Sequence, residues 1–358
     1  MIPENAEEEL LAERDLASVC AVSKAQAGST SVVRESTVTF KFGGSSLLGA
    51  ERLLHSAGLV RSAAQLMQVV VVVSAMKGVT DRLLGIAQAL GDRKMERARA
   101  EAEAVLRMHL DVLDDLCLDS DERERVGHEL NSLGRDLLHE VSARSVIFSA
   151  AASAELFDRL ASFGERFASR LFAAALEHSG VAAVPVSSSE FMLTCDTFRD
   201  AKPHLEQTRQ RGREVLLPLL AEGIVPVVTG FIGATPDGRI TTLGRNSSDF
   251  SGAIIAHVVD ADELVIWTDV DGIYTANPNE SAQAKLLHDL SYEDAHALAL
   301  SGAKVLHPHV LPLAEETEMT VWVRNTFKPH TRGTRIGAPV QAACAGTQSS
   351  APASKELA

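Results

Sequence analysis

The chain has 358 residues, 46% apolar and 23% charged, and its 34 basic against 48 acidic side chains leave a formal charge of −14. At roughly 150 residues per domain, that length fits two domains or one large two-lobed one, with a core that needs no metal or disulfide support. The acidic balance excludes a protein whose affinity rests on neutralising nucleic-acid phosphates, and no apolar run reaches the roughly 18–20 residues that span a bilayer.

The first segment, MIPENAEEELLAERDLASVC, is acidic where a signal or transit peptide would be basic. The four cysteines, Cys20, Cys117, Cys195 and Cys344, show no CxxC spacing. Both features point to a reduced, cytoplasmic protein. Residues 1–36 read as a mobile N-terminal extension.

Thr37–Phe42 is predicted to be a strand running straight into Gly43-Gly44-Ser45-Ser46. A helix is expected from about Ala50, with Leu53, Leu54, Ala57 and Val60 on one face. Val69–Val73, five consecutive valines, reads as a strand buried on both faces. Residues 81–116 and 122–145 are long, charged and helical, and Leu156–Ala175 is a further helix. Short strands are predicted at Val181–Val186, Ile224–Thr229 and Leu264–Thr268. The turn-like Ala234–Arg239 is the candidate junction between lobes, placing them at residues 37–233 and 234–337. Phe250–Val259 reads as a helix opening after Ser247-Ser248-Asp249, and Thr320–Arg324 as the last strand. Residues 338–358, rich in Ala, Ser and Pro, read as a disordered tail. This alternation of strands and helices is the pattern of an α/β fold.

Five segments can carry chemistry. Lys41 with Gly43 and Gly44 at a strand end can bring a cation and backbone amides to an anion, or can be a glycine turn beside a solvated lysine. Neither a Walker A loop nor a GxGxxG fingerprint is present. Gly244-Arg245-Asn246-Ser247-Ser248-Asp249 offers a helix N-terminus and an arginine fork for a carboxylate or phosphate, or is simply a cap. Thr268-Asp269-Val270-Asp271-Gly272 breaks a buried strand into a polar loop, where ligands of open α/β sheets sit. Glu165 in Phe163-Gly164-Glu165-Arg166 stands at a helix start, where dipole compensation is the ordinary role. Lys304 lies in the apolar setting of Gly302–His309, where His307 and His309 lack the further ligands a metal site needs.

The order of these segments is more specific than any one of them. Lys41 to Ser46, Val72 to Asp81, Ser162 to Arg166, Thr229 to Gly233, Leu243 to Ser251, Trp267 to Pro278 and Gly302 to Pro308 together resemble the catalytic domain of the aspartate kinases, in the amino-acid kinase superfamily. The match runs from about Thr37 to Gly337. It implies a three-layer αβα sandwich around a mainly parallel sheet, in two lobes, with the acceptor in residues 37–233 and the nucleotide in 234–337. The implied reaction is ATP-dependent phosphorylation of the side-chain carboxylate of L-aspartate, the first step toward lysine, threonine and methionine. Lys41, Asp249 and Lys304 would be catalytic. Lys41, Gly43, Gly44, Ser45, Thr268, Asp269, Tyr274, Lys304 and Val305 would hold ATP, with Mg²⁺ carried by the nucleotide rather than by protein side chains. Thr80, Glu165, Arg245 and Ser248 would hold aspartate. The implied assembly is a homodimer, with no nucleic-acid or membrane partner and room for a separate regulatory subunit.

The chain departs from the family pattern at Asn277 and Asn279, where Asp and an ATP-contacting Arg are common, and at Ser247 and Phe250, where Gly and Tyr are more frequent. Only 21 residues follow Gly337, which leads us to expect a kinase without the usual paired regulatory domains. Competing readings are a kinase for another amino acid or carboxylate, and a catalytically impaired regulatory subunit.

Overall fold

The computed structural model describes residues 36–143, 150–276, 281, 283–300 and 306–338. In chain order the elements are β1 (Thr37–Phe42), α1 (Ala50–Ala64), β2 (Gln68–Val73), α2 (Val79–Gly91), α3 (Met95–Asp115), α4 (Ser120–Ala143), α5 (Ala150–Ala161), α6 (Phe163–His178) and β3 (Ala183–Val186). There follow α7 (Leu205–Ala221), β4 (Val225–Thr229), β5 (Ile232–Ala234), β6 (Ile240–Thr242), α8 (Ser248–Val258), β7 (Glu263–Thr268), β8 (Ile273–Tyr274) and β9 (Leu286–Leu287). The last are β10 (Asp289–Leu290), α9 (Tyr292–Leu300), α10 (Val310–Glu316), β11 (Thr320–Asn325) and β12 (Thr334–Ile336).

Eight strands form one sheet in the order β10-β12-β11-β7-β1-β2-β4-β3. From β11 to β3 every pairing is parallel, and only β12 runs antiparallel to its neighbour β11. The valine run explains why the sheet sits between two helical layers. Val69, Val71 and Val73 enter one core with α1 to α6, while Val70 and Val72 enter the other with α7, α8 and α10. Side chains alternate across a strand, so a sheet covered on both faces needs apolar residues at every position. Each fully buried valine stabilises the fold by roughly 1.5–3 kcal/mol. Phe40, Phe42 and Trp267 form an aromatic cluster on the first face, with Phe40 edge-on to Trp267 at 5.6 Å. The three-layer αβα expectation therefore holds, in a mostly parallel sheet.

Several local expectations need correcting. The predicted helix 81–116 is two helices, broken at Asp92-Arg93-Lys94, where Arg93 turns left-handed at φ 59°. The predicted Leu156–Ala175 helix divides at Ser162 into α5 and α6. Thr320–Arg324 is not the last strand, since β12 returns beside it. The turn expected at Ala234–Arg239 is present, as that of the β5–β6 hairpin, closed by Thr235 N–H donating to the Arg239 carbonyl at 2.9 Å.

Candidate active site

Parallel strands leave their carboxyl ends on one edge of the sheet, and there the loops after β1 and β2 open a cavity of about 1090 Å³. The loops are fastened together. Ser74 N–H donates to the Phe42 carbonyl at 3.1 Å, Lys77 N–H to the Gly44 carbonyl at 3.1 Å, and Gly43 N–H to the Trp267 carbonyl at 3.1 Å. Gly44 is required by this approach: a Cβ there would lie 2.5 Å from the Ala75 carbonyl oxygen.

Lys41 projects from β1 toward α8, on the opposite face from Phe40 and Phe42. Its stem packs on Gly252, and its Nζ meets Asp249 Oδ1 at 2.6 Å. Only 7% of Lys41 is exposed, so burial strengthens this ion pair, while Asp249 remains partly open to the cavity. Ser247 precedes α8, Ser248 and Asp249 form its first turn, and the helix N-terminus adds positive potential to the same place. Ser74 Oγ donates to Ser248 Oγ at 2.8 Å, tying the β2 loop to that helix.

Glu165, in the first turn of α6, enters from the other layer and is 3% exposed. Its Oε1 accepts the Ala75 N–H at 3.1 Å, while Oε2 is buried with no hydrogen-bond partner. Burial pushes its carboxyl up to about 8, against smaller opposing effects of the Ala75 N–H and of Lys41. A buried carboxylate oxygen without a donor calls for a cation. Ser247 Oγ is also buried and unpartnered on the cavity wall.

Of the residues singled out from the sequence, Lys41, Gly43, Gly44, Thr80, Glu165, Arg245, Ser248 and Asp249 line this one cavity. Arg245 sits at its mouth, 80% exposed, with Nη2 3.3 Å from Asp81 Oδ1. Ser45 lies just outside the lining, its carbonyl taken by Arg52 Nη1 at 2.8 Å. Thr268, Asp269 and Tyr274 are not brought to the cavity. Thr268 and Asp269 follow β7, and Tyr274 is in the β8–β9 hairpin. Lys304, Val305, Asn277 and Asn279 lie outside the described residues. His307 stacks on Phe250 at 5.7 Å, and burial lowers its pKa, with His309 adding to that.

The sequence reading gave no role to Ser74, Asp158, Phe157, Arg199 or Phe231, which also line the cavity. Asp158 is 1% exposed, and burial raises its pKa despite three donors. Those donors are Arg199 N–H at 2.8 Å, Thr242 N–H at 2.9 Å and Thr242 Oγ1 at 2.7 Å. No local motif marks these contacts, because Thr242 is 84 positions from Asp158.

A cation–carboxylate pair, glycine loop and helix N-terminus at the edge of a parallel sheet define an anion-handling α/β protein. The chain belongs to the amino acid kinase family, which matches residues 36–325. It is 33% identical over 301 residues to lysine-sensitive aspartokinase 3 of Escherichia coli, covering 84% of this chain and 64% of that protein. It is also 33% identical over 308 residues to the chloroplastic aspartokinase 3 of Arabidopsis thaliana, covering 84% and 53%. Among solved structures it is similar to E. coli aspartokinase III in complex with aspartate and ADP, at TM-score 0.74 and 32% identity, covering 85% of this chain and 65% of that one. The chain thus spans less than two thirds of the length of these relatives. No helix among the described residues is long and apolar enough to cross a membrane.

Proposed function

We propose that the chain transfers the γ-phosphoryl group of ATP to the side-chain carboxylate of L-aspartate, giving 4-phospho-L-aspartate and ADP. The observation that carries this reading is the shared cavity. It joins the Lys41–Asp249 pair at 2.6 Å to the buried, unpartnered Oε2 of Glu165. One end suits a phosphoryl group and the other an ammonium. The likeness to a structure holding aspartate and ADP supports the same assignment.

The acceptor carboxylate, with a pKa near ~4, is already ionised at neutral pH, so the site needs no general base. What phosphoryl transfer requires is in-line placement and neutralisation of charge on the transferred group. Asp249 holds the Lys41 ammonium, which would neutralise that charge, and the amides opening the Gly44–Leu47 turn and α8 would add to it. Glu165 would take the aspartate ammonium, and Arg245 a carboxylate. Thr268, Asp269, Tyr274, Lys304 and Val305 keep the nucleotide roles that the resemblance implies. Among the described residues no three His, Cys, Asp or Glu side chains are grouped to hold a metal, and Mg²⁺ bound to ATP would supply further neutralisation.

Residues 37–233 then form an acceptor lobe and 234–337 a nucleotide lobe, with Arg245, Ser248 and Asp249 reaching across. The homodimer and any separate regulatory subunit rest on the family resemblance. The test is ADP release from Mg-ATP with a panel of amino and dicarboxylic acids, with hydroxylamine trapping of the acyl phosphate. Trapping with L-aspartate is expected. Turnover with another acid and none with aspartate would overturn the acceptor, and nucleotide binding without any turnover would favour a regulatory subunit.

A further inference from the structure

Lys77 lines the cavity, and the mechanism above gives its side chain no role. Its backbone is fixed from two directions. Its N–H donates to the Gly44 carbonyl at 3.1 Å, and the turn on which it stands is closed by Val79 N–H donating to the Met76 carbonyl at 3.0 Å. Gly78 completes that turn at φ 87°, which glycine adopts without a steric penalty. Lys77 thus stands at the tip of the loop between β2 and α2, and that tip touches the glycine turn after β1. A Cβ built on Gly44 would lie 3.0 Å from the Lys77 nitrogen and 3.4 Å from its Cα. A Cβ built on Gly43 would lie 3.9 Å from Lys41 Nζ. The two glycines therefore meet the ammonium of one lysine and the root of another. Five bonds of ~1.5 Å carry a lysine ammonium ~6 Å from its Cα, which spans the distance to an anion seated on the Gly44 amide.

The cations on the cavity wall are not equally available. Lys41 is offset by Asp249 at 2.6 Å, and Arg245 faces Asp81 at 3.3 Å. Arg199 lies over the Phe157 ring, 4.8 Å from its centroid. Lys77 is exposed, and among the described residues neither a carboxylate nor any other acceptor engages its ammonium. The ordinary reading of such a lysine is a solvated charge. Its place argues for more. Lys41 would meet the transferred group as one half of an ion pair, so part of the charge on that group's oxygens stays uncompensated. An ammonium with no carboxylate of its own, rooted beside the same glycines, supplies the balance. Its flexible stem lets it close on the nucleotide while its backbone stays fixed.

We infer that Lys77 is a further catalytic residue, whose ammonium meets the γ-phosphoryl group of ATP from the loop after β2 and stays on it through transfer. The inference rests on the proposed phosphorylation. In that step an oxygen of the acceptor carboxylate forms the new P–O bond as the bond to the β,γ-bridging oxygen breaks, whose electron pair leaves on ADP. Lys77 keeps its protons throughout and balances charge on the oxygens around phosphorus. The test sets wild type against Lys77→Met, Lys77→Arg and Arg82→Met, the last removing an exposed charge from α2 outside the cavity wall. Calorimetric titration compares Mg-ADP with Mg-AMP-PNP, a non-hydrolysable analogue that carries the γ-phosphoryl group ADP lacks. Lys77→Met should raise Kd for Mg-AMP-PNP ~10-fold and leave Kd for Mg-ADP within twofold of wild type. With L-aspartate, kcat/KM for ATP should fall at least ~10-fold. Lys77→Arg should restore most of both, and Arg82→Met should match wild type. The Lys77 side chain is exposed, so the thermal midpoint of Lys77→Met should not move. A Kd for Mg-AMP-PNP within twofold of wild type in Lys77→Met would overturn the role, as would an equal loss for Mg-ADP or the same loss in Arg82→Met. A wild type that binds both nucleotides and phosphorylates no aspartate would overturn the proposed acceptor, while the two titrations would still decide Lys77. A wild type that binds neither nucleotide would overturn both.

Discussion

At the end of the cleft proposed to take the acceptor, Lys41 and Glu165 are buried, keeping 7% and 3% of their surface exposed. Past the ends of β7 and β11, by contrast, Asp269 stands in solvent, and Val270 and Phe327 are 46% and 39% exposed. In the first region Lys41 and Glu165 are anchored without a ligand, by Asp249 and by the Ala75 N–H. The second offers surface that a bound molecule would cover. Groups that discriminate between acceptors and meet the transferred charge must be pre-positioned to lower a barrier, whereas groups that only grip a nucleotide can order on contact. The acceptor end should therefore carry the large mutational effects and the other end the small ones.

Lys41→Ala is the strongest way to break that contrast. It should lower kcat by ~10³-fold, about 4 kcal/mol of barrier, with a fold still intact by circular dichroism. Near-wild-type turnover would remove Lys41 from the chemistry. Glu165→Gln should raise KM for L-aspartate by ~10²-fold and leave KM for ATP alone, as initial-rate kinetics would show.

The same residue predicts a pH dependence. The Glu165 carboxyl is lifted from 4.5 to about 8, so between those values the folded state binds more protons than the unfolded one. Ligand-free stability contributed by this group should therefore fall as pH rises across that window, by ~5 kcal/mol at most. L-Aspartate should offset the loss through its ammonium, so its effect on the thermal midpoint should grow toward pH 8, and Glu165→Gln should flatten both trends. Gly44→Ala, which sets a Cβ 2.5 Å from the Ala75 carbonyl oxygen, should cost about 1–3 kcal/mol in urea unfolding. Thr268→Val sharpens the comparison from the weak side. Among the described residues its Oγ1 donates only to Asp269, at 3.4 Å, so KM for ATP should shift less than ~5-fold and KM for aspartate not at all.

What could be read from the sequence follows the range of the forces involved. Val69–Val73 announced a doubly covered strand because nothing polar interrupts it, whereas Lys41 beside two glycines left open whether the lysine met an anion or water. The helix Leu205–Ala221 went unread because Gly212 and Pro218 lie inside it. Packing explains Gly212, since a Cβ there would meet Val258 Cγ1 at 2.7 Å and Phe191 Cδ2 at 3.0 Å. Asp158, Arg199 and Thr242 went unread as a unit for the same reason. Each looks like an ordinary polar residue until the fold brings a helix, a loop and a strand onto one carboxylate.

The hydrogen bonds that fasten the loops after β1 and β2 have a consequence for solvent exchange. The amides of Ser74, Lys77 and Gly230 continue the sheet ladder beyond its strands, donating to Phe42, Gly44 and Val73. Such amides exchange with deuterium only when the sheet itself opens. The loop after β1 is in this sense the last rung of the sheet and not a lid. The amides of Phe198 and Asp200 donate within their own loop, to Asp196 and Thr197, and should take up label before those of Arg199 and Ala201, which donate to Asp158 and Thr242. Any breathing that admits a substrate would then come from the arginine side of the cleft.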